Sequence, residues 1–110
     1  MELWQCLEDA KRELYQSIEE MREWGLKRAK AEHDYKVVLK QKVLEEKAKG
    51  TAIGIIDKTC YGIEEVASAR LQRDIADTQY EVAQEKVNAN KLAIRVLDSQ
   101  MSREWSVQNE

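Results

Sequence analysis

The chain has 110 residues, of which 43% are hydrophobic, 35% charged and 6% aromatic, and it contains neither proline nor phenylalanine. This apolar content argues against a disordered chain, the length predicts one domain with a modest core, and the helix-forming composition predicts long helices. The net charge of −3 is mild and gives no sign of a polyanion that would bind the whole surface.

A first long helix is predicted from about residue 2 to residue 49, a stretch interrupted only by Gly25. Its early apolar residues recur at spacings of three and four, as in a coiled-coil seam: Leu3, Leu7, Ala10, Leu14, Ile18 and Met21. The register then blurs, because Gly25, Arg28 and Glu32 occupy the next seam positions. We therefore expect a continuous helix with a soft spot near Gly25.

A glycine-rich apolar hinge follows at residues 50–62 and holds three of the four glycines. Glycine tolerates left-handed backbone, so Gly50 suits the end of the first helix and Gly62 the approach to the second. Thr51 or Asp57 is expected to cap a short helical turn between them. An interruption between two arms of equal length predicts that the chain reverses into an antiparallel hairpin.

The second long helix is predicted from about residue 63 to residue 105. One heptad register links Val66, Ala69, Arg73, Ala76, Tyr80, Ala83, Val87, Asn90, Ile94, Leu97 and Met101. A second apolar line runs beside it through Leu71, Ile75, Val82, Ala89, Ala93 and Val96. The combined stripe is wider than one two-stranded seam needs. The predicted fold is thus all-α, a long antiparallel, coiled-coil-like helical hairpin in a single domain.

The wide stripe predicts a homodimer in which two hairpins form a four-helix bundle. Its expected core and dimer residues are Leu71, Ile75, Tyr80, Val82, Val87, Ile94, Leu97 and Met101. Arg73 and Asn90 would set its register at some cost in stability. Trp4 and Trp105 should approach each other at the open end, where they either cap the core or contribute to an interface.

The hinge is more apolar than a bare turn requires, and two interpretations stay open. Its apolar residues either seal the closed end of the hairpin or form a docking surface for another protein. The candidate partner interface comprises Ile53, Ile55, Ile56 and Tyr61 of the hinge together with Trp24.

Residues 27–49 hold eight basic and four acidic residues, whereas residues 63–83 hold five acidic and two basic ones. An antiparallel hairpin lays these segments side by side, so we expect the basic run to be paired within the fold. Its candidate basic face is Lys36, Lys40 and Lys42, and contact of this face with nucleic acid is the less favoured alternative. The run lacks interleaved aromatic residues that would stack on bases.

The sequence shows no sign of catalysis, so we expect no enzyme and no cofactor. His33 is the only histidine, and no zinc-binding or phosphate-binding motif occurs. Cys6 and Cys60 are the only cysteines, and in a hairpin they would lie too far apart for a disulfide. Reduced thiols, the absence of a secretory leader pattern at MELWQCLEDAKRE and the absence of a long apolar run predict a cytoplasmic protein without a membrane partner.

The second half of the chain carries two composite patterns, VAxxRLxRDxAxxxYE over residues 66–81 and KLxIRxLxxQxxREW over residues 91–105. With the glycine before an acidic helix start, they resemble a pattern in small uncharacterised bacteriophage and prophage proteins. The resemblance implies a phage protein acting in the bacterial cytoplasm and transfers no functional residue.

Three functional hypotheses follow from these observations. The favoured one is a binding protein that docks on a host or phage protein, for instance as an inhibitor of a bacterial defence nuclease, in the manner of an anti-CRISPR protein. The second is an accessory protein of phage DNA replication or recombination that contacts nucleic acid through residues 27–49. The third is a structural coiled-coil scaffold.

Overall fold

The fold is an all-α helical hairpin, as the sequence predicts. The computed structural model describes residues 2–108, among which there is no strand. Helix α1 spans Glu2–Ala48, α2 spans Ile56–Tyr61 and α3 spans Glu64–Gln108, with a short 3₁₀ turn at Ile53–Ile55. Helix α3 thus continues three residues beyond its predicted end at residue 105.

The chain divides into two compact units. The first combines the residues up to 23 with those from 81 onward, and the second is Trp24–Tyr80. In the first unit, Lys86 pairs with Glu20 and Asn90 bonds to Ser17. As the residue number on α3 rises, the number of its partner on α1 falls. In the second unit, Asp77 pairs with Arg28 and Arg73 with Glu32. Within each unit the two helix segments therefore run antiparallel.

Few residues of the first unit are fully buried. Leu7, Ala83 and Val87 are buried there, and Ser17 is buried as well, at 1% exposure. The hydroxyl of Ser17 donates to the Leu14 carbonyl of its own helix at 2.8 Å, which satisfies its hydrogen-bonding capacity in this apolar setting.

The core of the second unit extends from the two long helices into the chain reversal. Tyr35 of α1, Ile56 and Cys60 of α2, and Val66 and Ala76 of α3 are all buried. Since Cys60 and Val66 are both fully shielded from solvent, the short helix α2 packs inward on one side. This explains how a turn of so few residues is held in place.

Helix α1 ends in a Schellman motif at Gly50. The Gly50 N–H bonds to the Lys47 carbonyl and the Thr51 N–H to the Glu46 carbonyl, both at 3.1 Å. Gly50 has φ +85°, a left-handed conformation that glycine adopts without steric cost. The prediction for Gly50 agrees with this geometry.

Two hinge predictions were wrong. Gly62 has φ −86°, so it is not left-handed and the approach to α3 needs no special backbone freedom. Neither Thr51 nor Asp57 caps a helix, because the N-cap positions are Ala52 and Ile55 and neither uses a side chain. The Thr51 hydroxyl instead donates to the Glu46 carboxylate at 2.7 Å.

Helix α1 continues without a break through Gly25. A Cβ at this position would lie 3.3 Å from Cε1 of Tyr80, closer than an ordinary van der Waals contact. The absence of a side chain at Gly25 therefore lets the Tyr80 ring approach the backbone of α1. The glycine marks a close packing contact within the second unit.

Candidate protein-binding surface at the chain reversal

Three apolar side chains of the chain reversal are exposed, and we name them the tip surface: Ile53, Ile55 and Tyr61. Ile53 is the most exposed of them, at 88% of its full accessible area. Ile56, which the sequence groups with them, is only 3% exposed and packs inward. The structure therefore divides the predicted set into an inward anchor and an outward apolar surface.

The tip surface lies on a backbone that is fixed at both ends. The Schellman motif at Gly50 fixes its start, and the Ile55 N–H bonds to the Ala52 carbonyl at 3.1 Å inside the 3₁₀ turn. At the other end the Ile63 N–H bonds to the Cys60 carbonyl, also at 3.1 Å. The Arg70 guanidinium lies over the Tyr61 ring at 5.7 Å from its centroid, within cation–π range. The exposed apolar residues are thus presented by an ordered support.

The Thr51 hydroxyl bond has an electrostatic consequence for the neighbouring carboxylate. It holds the pKa of Glu46 below its ordinary value of 4.5, and the Lys49 ammonium, whose Nζ lies 3.5 Å from Glu46 Oε1, lowers this pKa further. Partial burial of the carboxylate opposes the shift but does not cancel it. Glu46 is therefore ionised at neutral pH and ties the end of α1 to the start of the turn.

Trp24 does not belong to the tip surface. It lies 24 residues before the end of α1, which corresponds to roughly 36 Å of helix at 1.5 Å per residue. Its ring is half-buried and carries the Lys27 ammonium 4.3 Å from its centroid. The structure thus exposes three of the five predicted partner-interface residues at the chain reversal.

The predicted core and dimer stripe of α3 is also divided between burial and exposure. Val87 is buried, and four further members are half-buried: Tyr80, Ile94, Leu97 and Met101. Three members are exposed: Leu71 and Ile75 in the second unit and Val82 in the first. The seam positions therefore face the hairpin interior, whereas the second apolar line remains on the outside.

The candidate basic face is partly neutralised by its own helix. Lys36 pairs with Glu32 at 3.5 Å and Lys42 with Glu45 at 3.3 Å, whereas Lys40 is exposed and makes no ion pair with the described residues. The predicted pairing across the hairpin occurs as Arg28–Asp77 at 2.8 Å. Four of the eight basic residues in 27–49 are thus ion-paired with described residues, and the other four keep the unpaired charge on which binding of a phosphate backbone depends.

A shallow cleft of about 400 Å³ lies between α1 and α3 in the second unit, and the sequence did not reveal it. Its lining residues are Gly25, Arg28, Ala29, Glu32, Asp77 and Tyr80. Arg28 pairs with Asp77 and also lies over the Tyr80 ring at 4.9 Å, so the polar groups of the cleft satisfy one another. In the sequence, the only indication of this cleft was Gly25, a glycine on a seam position of α1, which the structure places next to Tyr80.

Arg73 is another polar seam residue that the hairpin accommodates. It hydrogen-bonds to Asp74, and this bond, more than any other influence, raises the pKa of the guanidinium. Arg73 also reaches Glu32 at 3.8 Å and lies over the Tyr35 ring at 4.4 Å. Its charge is therefore compensated, and its flat side covers the buried tyrosine.

Trp4 and Trp105 line one small pocket in the first unit, together with Leu3, Met101, Glu104 and Gln108. The prediction that the two tryptophans approach each other therefore agrees with the structure. Both remain more than half exposed, so they do not act as buried caps.

The remaining residues that could act in catalysis or bind a metal ion are not gathered into a site. His33 is exposed beside Asp34, with Nδ1 and Oδ1 3.3 Å apart. Within residues 2–108, no group of three histidine, cysteine or acidic side chains is arranged to hold a metal ion. Both thiols are free, Cys6 exposed and Cys60 buried. No helix in the described part of the chain has both the length and the apolar character that crossing a bilayer requires.

Comparison of the chain with protein-family models, with curated proteins and with solved structures found no match. The observations that make the tip surface a candidate binding site are thus structural ones. It combines protruding apolar side chains with a supported backbone, and this combination suits protein recognition.

Proposed function

We propose that this protein is a non-enzymatic binding protein that inserts its tip surface into an apolar recess of another protein. The supporting observation is the nearly complete exposure of Ile53 on a turn whose backbone is held by hydrogen bonds and whose opposite side is buried. A residue that served only to seal the hairpin would turn inward, as Ile56 does. Ile53 and Ile55 instead leave apolar surface in water without benefit to the fold.

The shape and chemistry of the tip surface indicate the kind of partner. Its side chains project outward, so the complementary surface is concave and apolar. Full burial of one isoleucine side chain contributes about 1.5–3 kcal/mol. Two isoleucines and a tyrosine therefore supply the energetic centre of an interface, and the ordered backbone reduces the entropy lost on binding.

The resemblance of the second half to phage proteins supports a partner from the bacterial host or from the phage, met in the bacterial cytoplasm. Inhibition of a defence nuclease is the biological effect we propose to test first. Occlusion of a nuclease by a small binding protein requires no catalytic group in the inhibitor.

The test is affinity capture from infected cells with three baits, followed by binding measurements with the purified partner. The baits are the natural chain, Ile53→Asp, and the control Leu26→Asp, which places the same charge at another exposed apolar position of the second unit. We expect the first and third baits to capture the same protein and Ile53→Asp to bind it at least about 10-fold more weakly. Circular dichroism should show equal helicity for all three.

A photo-crosslinking residue at position 53 distinguishes a direct contact from an indirect effect. We expect it to join the chain to the captured protein, whereas the same residue at position 26 should not. Equal capture by Ile53→Asp, or crosslinking from position 26 alone, contradicts the proposal. Binding of the tip to anionic vesicles instead of a protein would also overturn it, as would a salt-dependent DNA complex abolished by glutamates at Lys36, Lys40 and Lys42.

A further inference from the structure

The outward side of α1 in the second unit carries bases and apolar residues at coiled-coil spacing. We name the following residues, separated by three, four, three and four positions, the basic line: Lys30, His33, Val37, Lys40 and Leu44. All five are exposed. Val37 follows the buried Tyr35 by two residues, which turns it about 160° away from that inward side chain. Lys30 and Lys40 form no ion pair with another described residue.

The outward side of α3 in the same unit carries acids and apolar residues at the same spacing. We name these residues the acidic line: Glu64, Ala67, Leu71, Asp74 and Thr78. Ala67 is half-buried and the other four are exposed. Leu71 lies five residues from the buried Val66 and five from the buried Ala76, so it is turned about 140° away from both.

The carboxylates of the acidic line can still accept a partner. Glu64 forms no ion pair with another described residue. Arg73 donates two hydrogen bonds to Oδ1 of Asp74, but Oδ2 bonds to no described group. The hairpin therefore leaves two lines of opposite charge uncovered, one on each long helix.

The two lines match position by position. In a parallel pair of helices, equivalent seam positions lie at the same height. Setting the two lines in parallel gives each acid a base and joins the two largest apolar side chains, because every pair differs by the same 34 positions in the sequence. The pairs are Lys30–Glu64, His33–Ala67, Val37–Leu71, Lys40–Asp74 and Leu44–Thr78. The next residues of the two series, Lys47 and Glu81, are again a base and an acid.

An antiparallel arrangement fits the two lines less well. It can set Lys40 beside Glu64 and Lys30 beside Asp74. The same register places Leu71 against His33, so the apolar side chain would meet an imidazole. Only the parallel arrangement satisfies the charges and the apolar residues together.

We propose that the basic line of one copy of this chain binds the acidic line of a second copy, with the two helices parallel. The charge complementarity favours a second copy, because an unrelated partner would not require both matching lines on one molecule. The contact joins two different surfaces, so each copy keeps one free line of each kind. Such a heterologous contact grows into a ring or an open filament and does not stop at two copies. It therefore differs from the two-fold dimer that the sequence predicts.

The contact is expected to be weak and sensitive to salt. Residues 30–44 span roughly 22 Å of helix, and Val37–Leu71 is the one pair of large apolar side chains. We therefore expect it to bury less surface than the ~1,200 Å² of stable interfaces. Its ion pairs are screened as the ionic strength rises. The average mass should thus increase with protein concentration and decrease on addition of salt.

Charge-reversed chains test the proposal by sedimentation equilibrium at low salt. One variant combines Lys30→Glu with Lys40→Glu, and the other combines Glu64→Lys with Asp74→Lys. Each alone should associate at least about 10-fold more weakly than the natural chain, because its two lines then carry the same sign. An equal mixture of the two should associate again, as should a chain with all four changes.

A matched control separates the charge of the line from the charge of the whole chain. Lys91→Glu with Arg95→Glu alters the net charge as much as the first variant does, at two exposed residues of the first unit. Its association should equal that of the natural chain. Circular dichroism checks helicity, and if the Glu64 and Asp74 changes disturb α3, the comparison of the first variant with this control still decides the outcome.

Disulfide trapping measures the orientation independently of charge. Two chains in a Cys6→Ser background are mixed and oxidised, one with Leu44→Cys and one with Thr78→Cys. They should form a covalent heterodimer, because these positions lie at the same height in the parallel contact. Leu26→Cys mixed with Thr78→Cys should not, since position 26 lies about 27 Å along the helix from position 44, beyond disulfide reach.

Several results would overturn the proposal. They are a natural chain that stays monomeric at several hundred micromolar, a mass that stops at two copies, a mixture of variants that stays monomeric, and trapping from position 26 instead of 44. Binding of the basic line to duplex DNA or anionic vesicles by a chain that remains monomeric would assign the line to another partner and would equally overturn it.

Discussion

The side-chain amide of Asn90 donates a hydrogen bond to the hydroxyl of Ser17 at 3.0 Å, joining α3 to α1 in the first unit. The same amide also donates to the Glu13 carbonyl at 3.3 Å. Ser17 is the only buried polar side chain of residues 2–108. A polar contact at a seam position favours one register over its neighbours, because a slipped helix would leave buried polar groups without partners.

We predict that Asn90→Ala and Ser17→Ala are coupled. Each loses a hydrogen bond worth about 1 kcal/mol, but the double variant loses the shared bond only once. The free energy of unfolding, measured by urea denaturation, should therefore fall by about 1 kcal/mol less in the double variant than the sum of the single losses. Simple additivity would show that the hydrogen bond does not contribute to stability.

Gly25→Ala tests the close approach of the Tyr80 ring. Alanine in a helix interior is favoured over glycine by about 1 kcal/mol, but its Cβ would lie 3.3 Å from Tyr80 Cε1 and would displace the ring. We expect little net change in the natural chain and a gain of about 1 kcal/mol when the substitution is made in a Tyr80→Ala background. Chemical denaturation of the four chains measures this difference, and equal gains in both backgrounds would rule out the contact.

The sequence was sufficient to predict the helices and the chain reversal, because both depend on local signals. Helical periodicity and the scarcity of glycine extend over both arms, and Gly50 has the residue type that a Schellman motif requires. These features do not depend on which surfaces the helices finally bury.

The burial of individual hinge residues could not be predicted from the same signals. Ile53, Ile55 and Ile56 have the same side chain, and the switch from a 3₁₀ turn to α2 decides that only Ile56 turns inward. The wide stripe of α3 likewise does not reveal which of its two apolar lines faces α1. Polar seam residues such as Arg28 were unexpected partners of an aromatic ring, because their role depends on the opposite helix.

Gly50 and Gly54 form a matched pair for testing backbone strain in the hinge. Added Cβ atoms would meet nothing within 4 Å at either position, but only Gly50 has a positive φ. Gly50→Ala should therefore reduce the free energy of unfolding by about 1–2 kcal/mol through left-handed strain. Gly54→Ala should be neutral or stabilising by up to about 1 kcal/mol. Thermal or urea denaturation checks both, and similar effects at the two positions would contradict the φ argument.

The Thr51–Glu46 hydrogen bond should make stability depend on pH in the acidic range. The pKa of Glu46 is lower in the folded chain than its ordinary value of 4.5, so the ionised form favours folding. This contribution is complete above 4.5 and is lost as the pH falls through the lower folded value. Thr51→Val keeps the side-chain shape but removes the hydroxyl donor, so its unfolding free energy should fall less steeply on acidification. Parallel pH slopes for both chains would show that the hydroxyl does not set the Glu46 pKa.

The two thiols should differ in reactivity, because only thiolates attack alkylating reagents. Burial raises the pKa of Cys60, and the carboxylates of Glu46, Asp57 and Glu45 raise it further, so this thiol stays protonated at neutral pH. It is also inaccessible, whereas Cys6 is exposed. Iodoacetamide should therefore add one group to the native chain and none to Cys6→Ser, as measured by intact mass. In denaturant, Cys6→Ser should gain one group, since unfolding exposes Cys60. Rapid labelling of native Cys6→Ser would mean that α2 opens readily, and the tip surface would then lack the fixed support on which its proposed role depends.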